Sequence, residues 1–399
     1  MQVDYDVIII GGGLVGGCLA LALSQTPLRV AVVEASSFAE KQADSAGQRA
    51  IALSWGSRCI LEQLNSWQQI NESAMPIRDI HVSDKGHFGK TRLSAKAQQV
   101  DALGYVVEAA KIESVMAARL TKTGVTILCP AELIDYQIDD SQAVVTVNLD
   151  GEERTLCCHL LVGADGGLSK VRQFGQFELK EYAYDQQAVT GLIKTESDQC
   201  DVAYERFTSE GPIAMLPHVG GQYSLVWTMS SDKAVQVKKL SEDAFIERLQ
   251  ARFGQWLGEL SLAGERQVFP LNLQYVPNNT AARVVLIGNA AHQLHPVAGQ
   301  GFNLGLRDAA ILADVLAHNL QDKGVDEVLE IYAHRRKTDQ QLVTGLTDNL
   351  IKLFSTDNAL LSVLRNSGLL ILDKVPMLKN QFAQQTMGLS SRFARIKVN

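Results

Sequence analysis

The sequence has no apolar run approaching the roughly eighteen residues that a membrane-spanning helix requires, so a span is not expected. It also has no Lys/Arg-rich run. With 37 basic against 44 acidic residues and a net charge of −7, nothing matches a phosphate backbone, and nucleic acid is not an expected partner. Cysteines 18, 59, 129, 157, 158 and 200 include no C-x-x-C pair, and adjacent Cys157 and Cys158 make a poor disulfide framework. They read as reduced thiols. The opening "MQVDYDVIIIGGG" sets two acids before a four-residue apolar run, where a signal peptide has a positive start and a longer apolar core. The expectation is a soluble cytoplasmic chain, at most peripheral to the inner face of a membrane. Repeats and low-complexity tracts are absent as well. What is present is 399 residues, 46% of them apolar, with mean hydropathy near zero: enough for a large core in two intertwined domains or one large one.

Val7 to Ile10 form a continuous apolar run suited to a parallel strand covered on both faces, and it leads directly into Gly11-Gly12-Gly13-Leu14-Val15-Gly16. In this G-x-G-x-x-G pattern Gly11 permits a tight turn and Gly13 lets a pyrophosphate approach the backbone. Gly16 lets the following helix, 14 to 24, pack close to the strand and aim its amino terminus at the phosphates. A second apolar run, Val30 to Val33, ends in Glu34, at the spacing where an acid accepts hydrogen bonds from a ribose. These features predict a dinucleotide site and leave FAD and NAD(P) equally open, since both carry a pyrophosphate and an adenosine ribose.

Two later segments repeat the apolar-run-then-glycine arrangement. "HLLVGADGGLSKVR" (159 to 172) contains Asp165, and "VVLIGNAAHQLHPVAGQGFNLGLRDA" (284 to 309) carries four glycines, two histidines and Asn289. An extended cofactor would need a first site for its adenosine end and a later one for its far end. In the third segment the bare backbone of Gly299, Gln300 and Gly301 admits a planar ring. A helix starting near Asn303 would direct free N–H groups and a positive dipole end at that ring, with Leu312, Val315, Leu316 and Leu320 burying it on the sheet. His292 and His295, three residues apart in a loop with no third ligand nearby, do not make a metal site. His295-Pro296 is expected to shape the loop beside the ring.

Together the three motifs resemble the single-component FAD-dependent aromatic hydroxylases of the para-hydroxybenzoate hydroxylase type. The runs "QRAIALSWGS", "ERFTSEGPIAMLP", "YSLVW" and "HPVAGQGFNLGLRD" are most similar to the ubiquinone-biosynthesis branch. The resemblance covers most of the chain, from Gly11 to Ala309. It implies that Gly11, Gly13, Gly16 and Glu34 hold the adenosine half of FAD, that Arg49 lies along the cofactor, and that Asp165 serves both FAD and the nicotinamide donor. The third motif of the family reads Gly-Asp, whereas this chain has Gly288-Asn289. An amide oxygen still accepts a hydrogen bond from a ribityl hydroxyl but lacks the charge that roughly doubles its strength.

The expected architecture is α/β: a Rossmann-like FAD-binding domain interleaved with a mixed β-sheet substrate domain, then a helical C-terminus. Residues 1–76, 105–179 and 277–337 are assigned to the first, 77–104 and 180–276 to the second, and 338–399 to the helical tail. Within the first, 53–64 and 111–122 read as helices, 125–129 as a strand, and 133–138 with 143–149 as an antiparallel excursion. In the second, 202–207, 213–216 and 223–228 read as strands, with Gly220-Gly221 a turn. Tyr223, Leu225 and Trp227 share one face, and Tyr223 and Trp227 are read as substrate contacts roofing the flavin. The leucine-rich tail packs on the FAD domain or offers a surface to a membrane or to a ubiquinone-biosynthesis assembly.

What the resemblance implies is a monooxygenase: NAD(P)H reduces the flavin, O2 is activated there, and an electrophilic hydroxyl passes to a polyprenylated methoxyphenol, with His295 and Pro296 nearest the chemistry. The cofactor carries the reaction, so no triad, paired carboxylate or metal cluster is required of the protein. Rival readings are a sister hydroxylase acting at another ring carbon, a flavin-dependent isoprenoid reductase, and a non-catalytic assembly member. A W-x-W-x-I-P segment is missing, which disfavours a halogenase.

Overall fold

The structure, a computed structural model, describes residues 3–36, 49–87, 89–197, 200–294, 299–318, 326–354, 368, 370–371 and 373–389. Its first sheet is built on the predicted strand Tyr5–Ile10, which pairs in parallel with Val30–Val33 on one side and Glu152–Gly163 on the other. Thr126–Leu128 and Val284–Leu286 extend the parallel set outward. The apolar run is two-sided. Val7 and Ile9 pack among the helices Leu14–Leu23, Ala109–Leu120 and Gln300–His318, while Ile8 and Ile10 pack against the antiparallel hairpin Ala131–Ile138 and Ala143–Leu149. Fully buried strands of this kind are why the sequence reads as continuously apolar.

A second, mixed sheet runs in the order His292–Gln293, Gln267–Tyr275, Lys180–Thr195, Gln222–Ser230, Ile213–His218, Val202–Phe207, Asp79–Asp84, Lys90–Ser94. The early strands Asp79–Asp84 and Lys90–Ser94 thus join strands more than a hundred residues later, as the interleaved reading requires. Gly220 and Gly221 both take positive φ in the turn between Ile213–His218 and Gln222–Ser230. One face of this sheet carries Tyr223, Leu225, Trp227 and Met229, which pack on Phe245, Leu249 and Phe253 of the helix Glu242–Phe253. A small third sheet, Ala50–Ser54, Gly104–Glu108 and Met75–Ile77, lies between.

Two expectations are corrected. The predicted helix 53–64 begins as the strand Ala50–Ser54, and the helix proper is Trp55–Gln63, because the Ser54 hydroxyl caps it by accepting from Ser57 N at 3.2 Å. The boundary at 338 falls inside one helix, Asp326–Phe354, which is pinned to the FAD-binding half on both sides of that position by Arg336 and Asp339. In the leucine-rich tail Leu342 is 51% exposed, and its neighbour Val343 is buried. Much of the tail, together with Leu320, lies outside the described residues. All six cysteines are free thiols. Among the described residues no helix is long and apolar enough to cross a membrane.

Candidate active site

The glycine turn has the stereochemistry that the motif requires. A Cβ on Gly11, whose φ is +99°, would meet Ala164 O at 2.5 Å, and one on Gly16 would sit 1.9 Å from Gly11 O. Both positions are closed to any side chain. A Cβ on Gly13 would have no atom within 4 Å, so space lies open at the start of the helix Leu14–Leu23. Glu34 is buried at the end of its strand, where it accepts from Gly12 N at 2.7 Å and from Ser36 N at 3.0 Å. Its carboxylate therefore borders the same loop. Arg49 lines the cavity that opens beyond Gly13.

Asp165 turns toward its own segment. Its carboxylate accepts from Ser169 Oγ at 2.5 Å and Lys170 N at 2.7 Å, capping the helix Lys170–Phe174, while Ala164 and Gly166 on either side line the cavity. Arg172 ties this motif to the third by donating to Gly167 O at 2.5 Å and Ala290 O at 3.0 Å.

In the third motif Gly288 has φ +59° and Asn289 is exposed to the cavity. Gly299, Gln300, Gly301 and Asn303 line it further along. The helix starts at Gln300, three residues earlier than the sequence suggests, and Leu312, Val315 and Leu316 bury it as expected. Asn303 is fully occupied: its amide oxygen accepts from Ser54 N at 2.8 Å and Ser57 Oγ at 2.6 Å, and its amide nitrogen donates to Ala52 O and Gly299 O. It ties Gly299 to the strand Ala50–Ser54 of the third sheet. His295 and Pro296 lie outside the described residues.

His292 belongs to a buried charge network that sequence reasoning missed. Asp308 accepts from His292 Nε2 at 2.5 Å, Arg336 Nε at 2.8 Å, Gln340 Nε2 at 3.1 Å and Gly288 N at 3.2 Å. Burial alone would raise the Asp308 pKa, but His292 and Arg336 hold it well below the ordinary carboxylate range. Among the described residues no group of His, Cys, Asp and Glu is arranged to hold a metal ion.

The cavity, about 1180 Å³, runs from Gly13 and Arg49 past Gly299 to the free face of the second sheet. A cross-strand row there reads Val82, Glu205, Ala214, Val226, Thr190 and Gln267. Tyr223 and Trp227 are not in it. Both are 0% exposed on the opposite face, in the core formed with Phe245, so the stripe read as substrate contact is the sheet's helical backing. The alternation was right and the assignment of its face was wrong; Ser224 and Val226 are the cavity-facing partners. Glu205, also unforeseen, is partly buried in this apolar wall, and desolvation pushes its carboxyl up to about 7. The available signal was a single acid at a strand position whose same-face neighbours are Ala203 and Phe207.

Residues 4–347 match the family described as FAD binding domain. The chain is 34% identical to the ubiquinone hydroxylase UbiL of Rhodospirillum rubrum, covering 96% of this chain and 89% of that protein. It is 31% identical to the 3-demethoxyubiquinol 3-hydroxylase of Escherichia coli, covering 96% and 98% respectively. Among solved structures, p-nitrophenol 4-monooxygenase PnpA from Pseudomonas putida superposes with a TM-score of 0.79 over 98% of this chain and 100% of that one; at 19% identity it supports the fold alone. The glycine turn, the open space before Gly13 and the continuous cavity are the features such a family needs, and the chain belongs to the FAD binding domain family, as an FAD-dependent monooxygenase in the branch of the ubiquinone-biosynthesis hydroxylases.

Proposed function

We propose that this enzyme uses NAD(P)H and O2 to hydroxylate the ring of a polyprenylated methoxyphenol of the 2-octaprenyl-6-methoxyphenol type. The observation that carries the reading is the single cavity joining the glycine turn to an apolar sheet face. At about 1180 Å³ it exceeds the roughly 300–1,000 Å³ of an ordinary ligand pocket and has room for a dinucleotide and a second molecule. When bound, FAD supplies the redox chemistry: it takes electrons from NAD(P)H and activates O2 for transfer to an electron-rich ring.

The protein's share is binding, orientation and exclusion of water. Gly11, Gly13 and Gly16 leave backbone and a helix amino terminus facing the pyrophosphate, and Glu34 accepts the ribose hydroxyls. Arg49 lies along the cofactor. Asp165 holds the second motif in register, and Gly288-Asn289 receives the ribityl chain with a neutral acceptor. Gly299, Gln300 and Gly301 bring backbone close to the flavin ring, with the positive end of their helix opposing negative charge on it, and Asn303 keeps that loop in place. Substrate ring and prenyl tail lie along the wall formed by Ala214, Ser224 and Val226.

A prenylated substrate resides in a membrane, and the C-terminal segment that lines the cavity through Phe382 and Met387 also exposes Ile371, Met377 and Leu378. Peripheral attachment through this segment is the supply route that the reading implies.

The test is the visible spectrum of the purified protein followed by NAD(P)H and O2 consumption with a prenylated phenol present and absent. A yellow protein that yields hydroxylated product is expected. A colourless protein that FAD cannot reconstitute, or a product reduced in its prenyl chain with no oxygen added, overturns the reading.

A further inference from the structure

The row of second-sheet residues that faces the cavity carries one charged side chain among apolar and neutral polar ones. Glu205 stands in the middle of it, with Val82 and Ala214 beside it across the strands and Ala203 and Phe207 above and below along its own. Among the described residues its carboxylate has no hydrogen-bond or ion-pair partner. The next residue, Arg206, points the other way, donating to Arg252 O and Ser83 Oγ and stacking on Trp256. The other titratable groups that bound the cavity are Arg49, Glu113, Tyr204 and Glu265, and none of them is paired with Glu205. An unpaired carboxylate in an apolar wall costs stability, and such a group is retained where a ligand is its partner. It is the one carboxyl in the cross-strand row Val82, Glu205, Ala214, Val226, Thr190 and Gln267.

We propose that Glu205 accepts the hydrogen bond of the substrate's ring hydroxyl and takes its proton as the ring is hydroxylated. This rests on the phenol reading above. The phenol O–H bond breaks, its electron pair enters the ring as the oxygen–carbon double bond of a dienone, and the ring carbon bonds to the hydroxyl that the NAD(P)H- and O2-dependent reaction supplies. The proton resides on Glu205 as a neutral carboxyl. When the ring recovers aromaticity, the carbon-bound hydrogen leaves as a proton to water, and Glu205 returns its proton to the ring oxygen, regenerating the carboxylate. A base whose ionisation lies close to neutrality, as the apolar wall makes this one, suits both halves of that exchange.

Two measurements on the FAD-loaded protein test the assignment. In the first, binding of a prenylated phenol and of its O-methyl ether is followed by perturbation of the oxidised flavin spectrum, with no NAD(P)H present. Wild type should favour the phenol by about tenfold or more, and Glu205→Leu should lose the preference. In the second, hydroxylated product is quantified against pH. The wild-type rate should rise through neutrality as the carboxyl ionises, whereas Glu205→Gln, isosteric and uncharged, should give a flat profile and about 10²-fold less product per NAD(P)H oxidised. Bound-flavin absorbance reports that each variant is folded. A Gln variant with the wild-type profile, or a Leu variant that still prefers the phenol, overturns the assignment and leaves the phenol reading standing. A wild-type enzyme that binds FAD and hydroxylates no phenol overturns both.

Discussion

His292 Nε2 lies 2.5 Å from Asp308 Oδ2, and the same carboxylate oxygen accepts the backbone N–H of Gly288, so one buried acid joins the turn before Asn289 to the helix Gln300–His318. Arg336 Nε reaches the other oxygen at 2.8 Å from the helix Asp326–Phe354. Three elements therefore meet on Asp308. Because its pKa in the fold is depressed, it contributes stability above the ordinary carboxylate range, and that contribution is lost as pH falls through that range and below. Asp308→Asn leaves a buried guanidinium with one carboxylate fewer, for a loss of about 3–5 kcal/mol at pH 7. Thermal melts at pH 7 and at pH 3, below the ordinary aspartate value of 3.8, check this: the gap between wild type and variant should narrow in acid, and a gap that does not depend on pH would count against the ionic account.

The glycine turn yields a pair of variants with opposite signatures. Gly16→Ala puts a methyl group 1.9 Å from Gly11 O, so the turn must open and both FAD and stability are lost. Gly13→Ala meets no protein atom within 4 Å, and at φ −69° alanine is unstrained, so the apoprotein should melt at the wild-type temperature or slightly above. Its FAD affinity should still fall by at least about tenfold, about 1.4 kcal/mol, because the methyl occupies the space left for the pyrophosphate. Fluorescence titration of FAD against both apoproteins reads this directly. Undiminished affinity in Gly13→Ala would mean that the pyrophosphate lies elsewhere.

The first sheet and its turn were legible in the sequence because their requirements are local. Val7 to Ile10 are apolar on both faces of one strand, and Gly11 and Gly16 answer close approaches a few residues away or across one strand pair. The second sheet shows where such reading ends. Alternation separates Tyr223 and Trp227 from Ser224 and Val226, but which set faces the cavity is decided by the later helix Glu242–Phe253, which covers the aromatic side. The large residues drew attention and the small ones border the space. Glu205 went unread although Ala203 and Phe207 share its strand face, since only the assembled sheet adds Val82 and Ala214 beside it across the strands. The Asp308 network was equally hidden, because its members at 288, 292, 308 and 336 have no spacing that points to one another.

The same correction separates Val226 from Trp227 experimentally. Val226 faces the cavity, so Val226→Phe fills space that the substrate needs, and kcat/KM for the prenylated phenol should fall at least about tenfold with FAD binding intact. Trp227 is fully buried on the far side with its indole N–H unpaired, so Trp227→Phe removes no hydrogen bond there. It should keep kcat/KM within about twofold, about 0.4 kcal/mol, while lowering the melting temperature through lost packing. Steady-state kinetics on both variants decides between the faces; the reverse ordering would return the substrate to the aromatic side.

Glu205 also leaves a mark on stability that is independent of turnover. Its carboxyl titrates at about 7 in the fold against an ordinary 4.5, with desolvation as the cause. Between those two values the folded chain keeps a proton that the unfolded chain has already released. Stability therefore falls as pH rises across that window and stays at the lower level above it. Glu205→Gln removes the ionisation, so its melting temperature should match wild type near pH 4.5 and exceed it at pH 8. Calorimetry on the FAD-loaded proteins at the two pH values measures the difference. A variant that gains the same amount at both would locate the effect in packing and not in charge. A phenol that hydrogen-bonds the carboxylate should shrink the pH 8 gap, and one lacking the hydroxyl should not, which ties the stability cost of Glu205 to the ligand that relieves it.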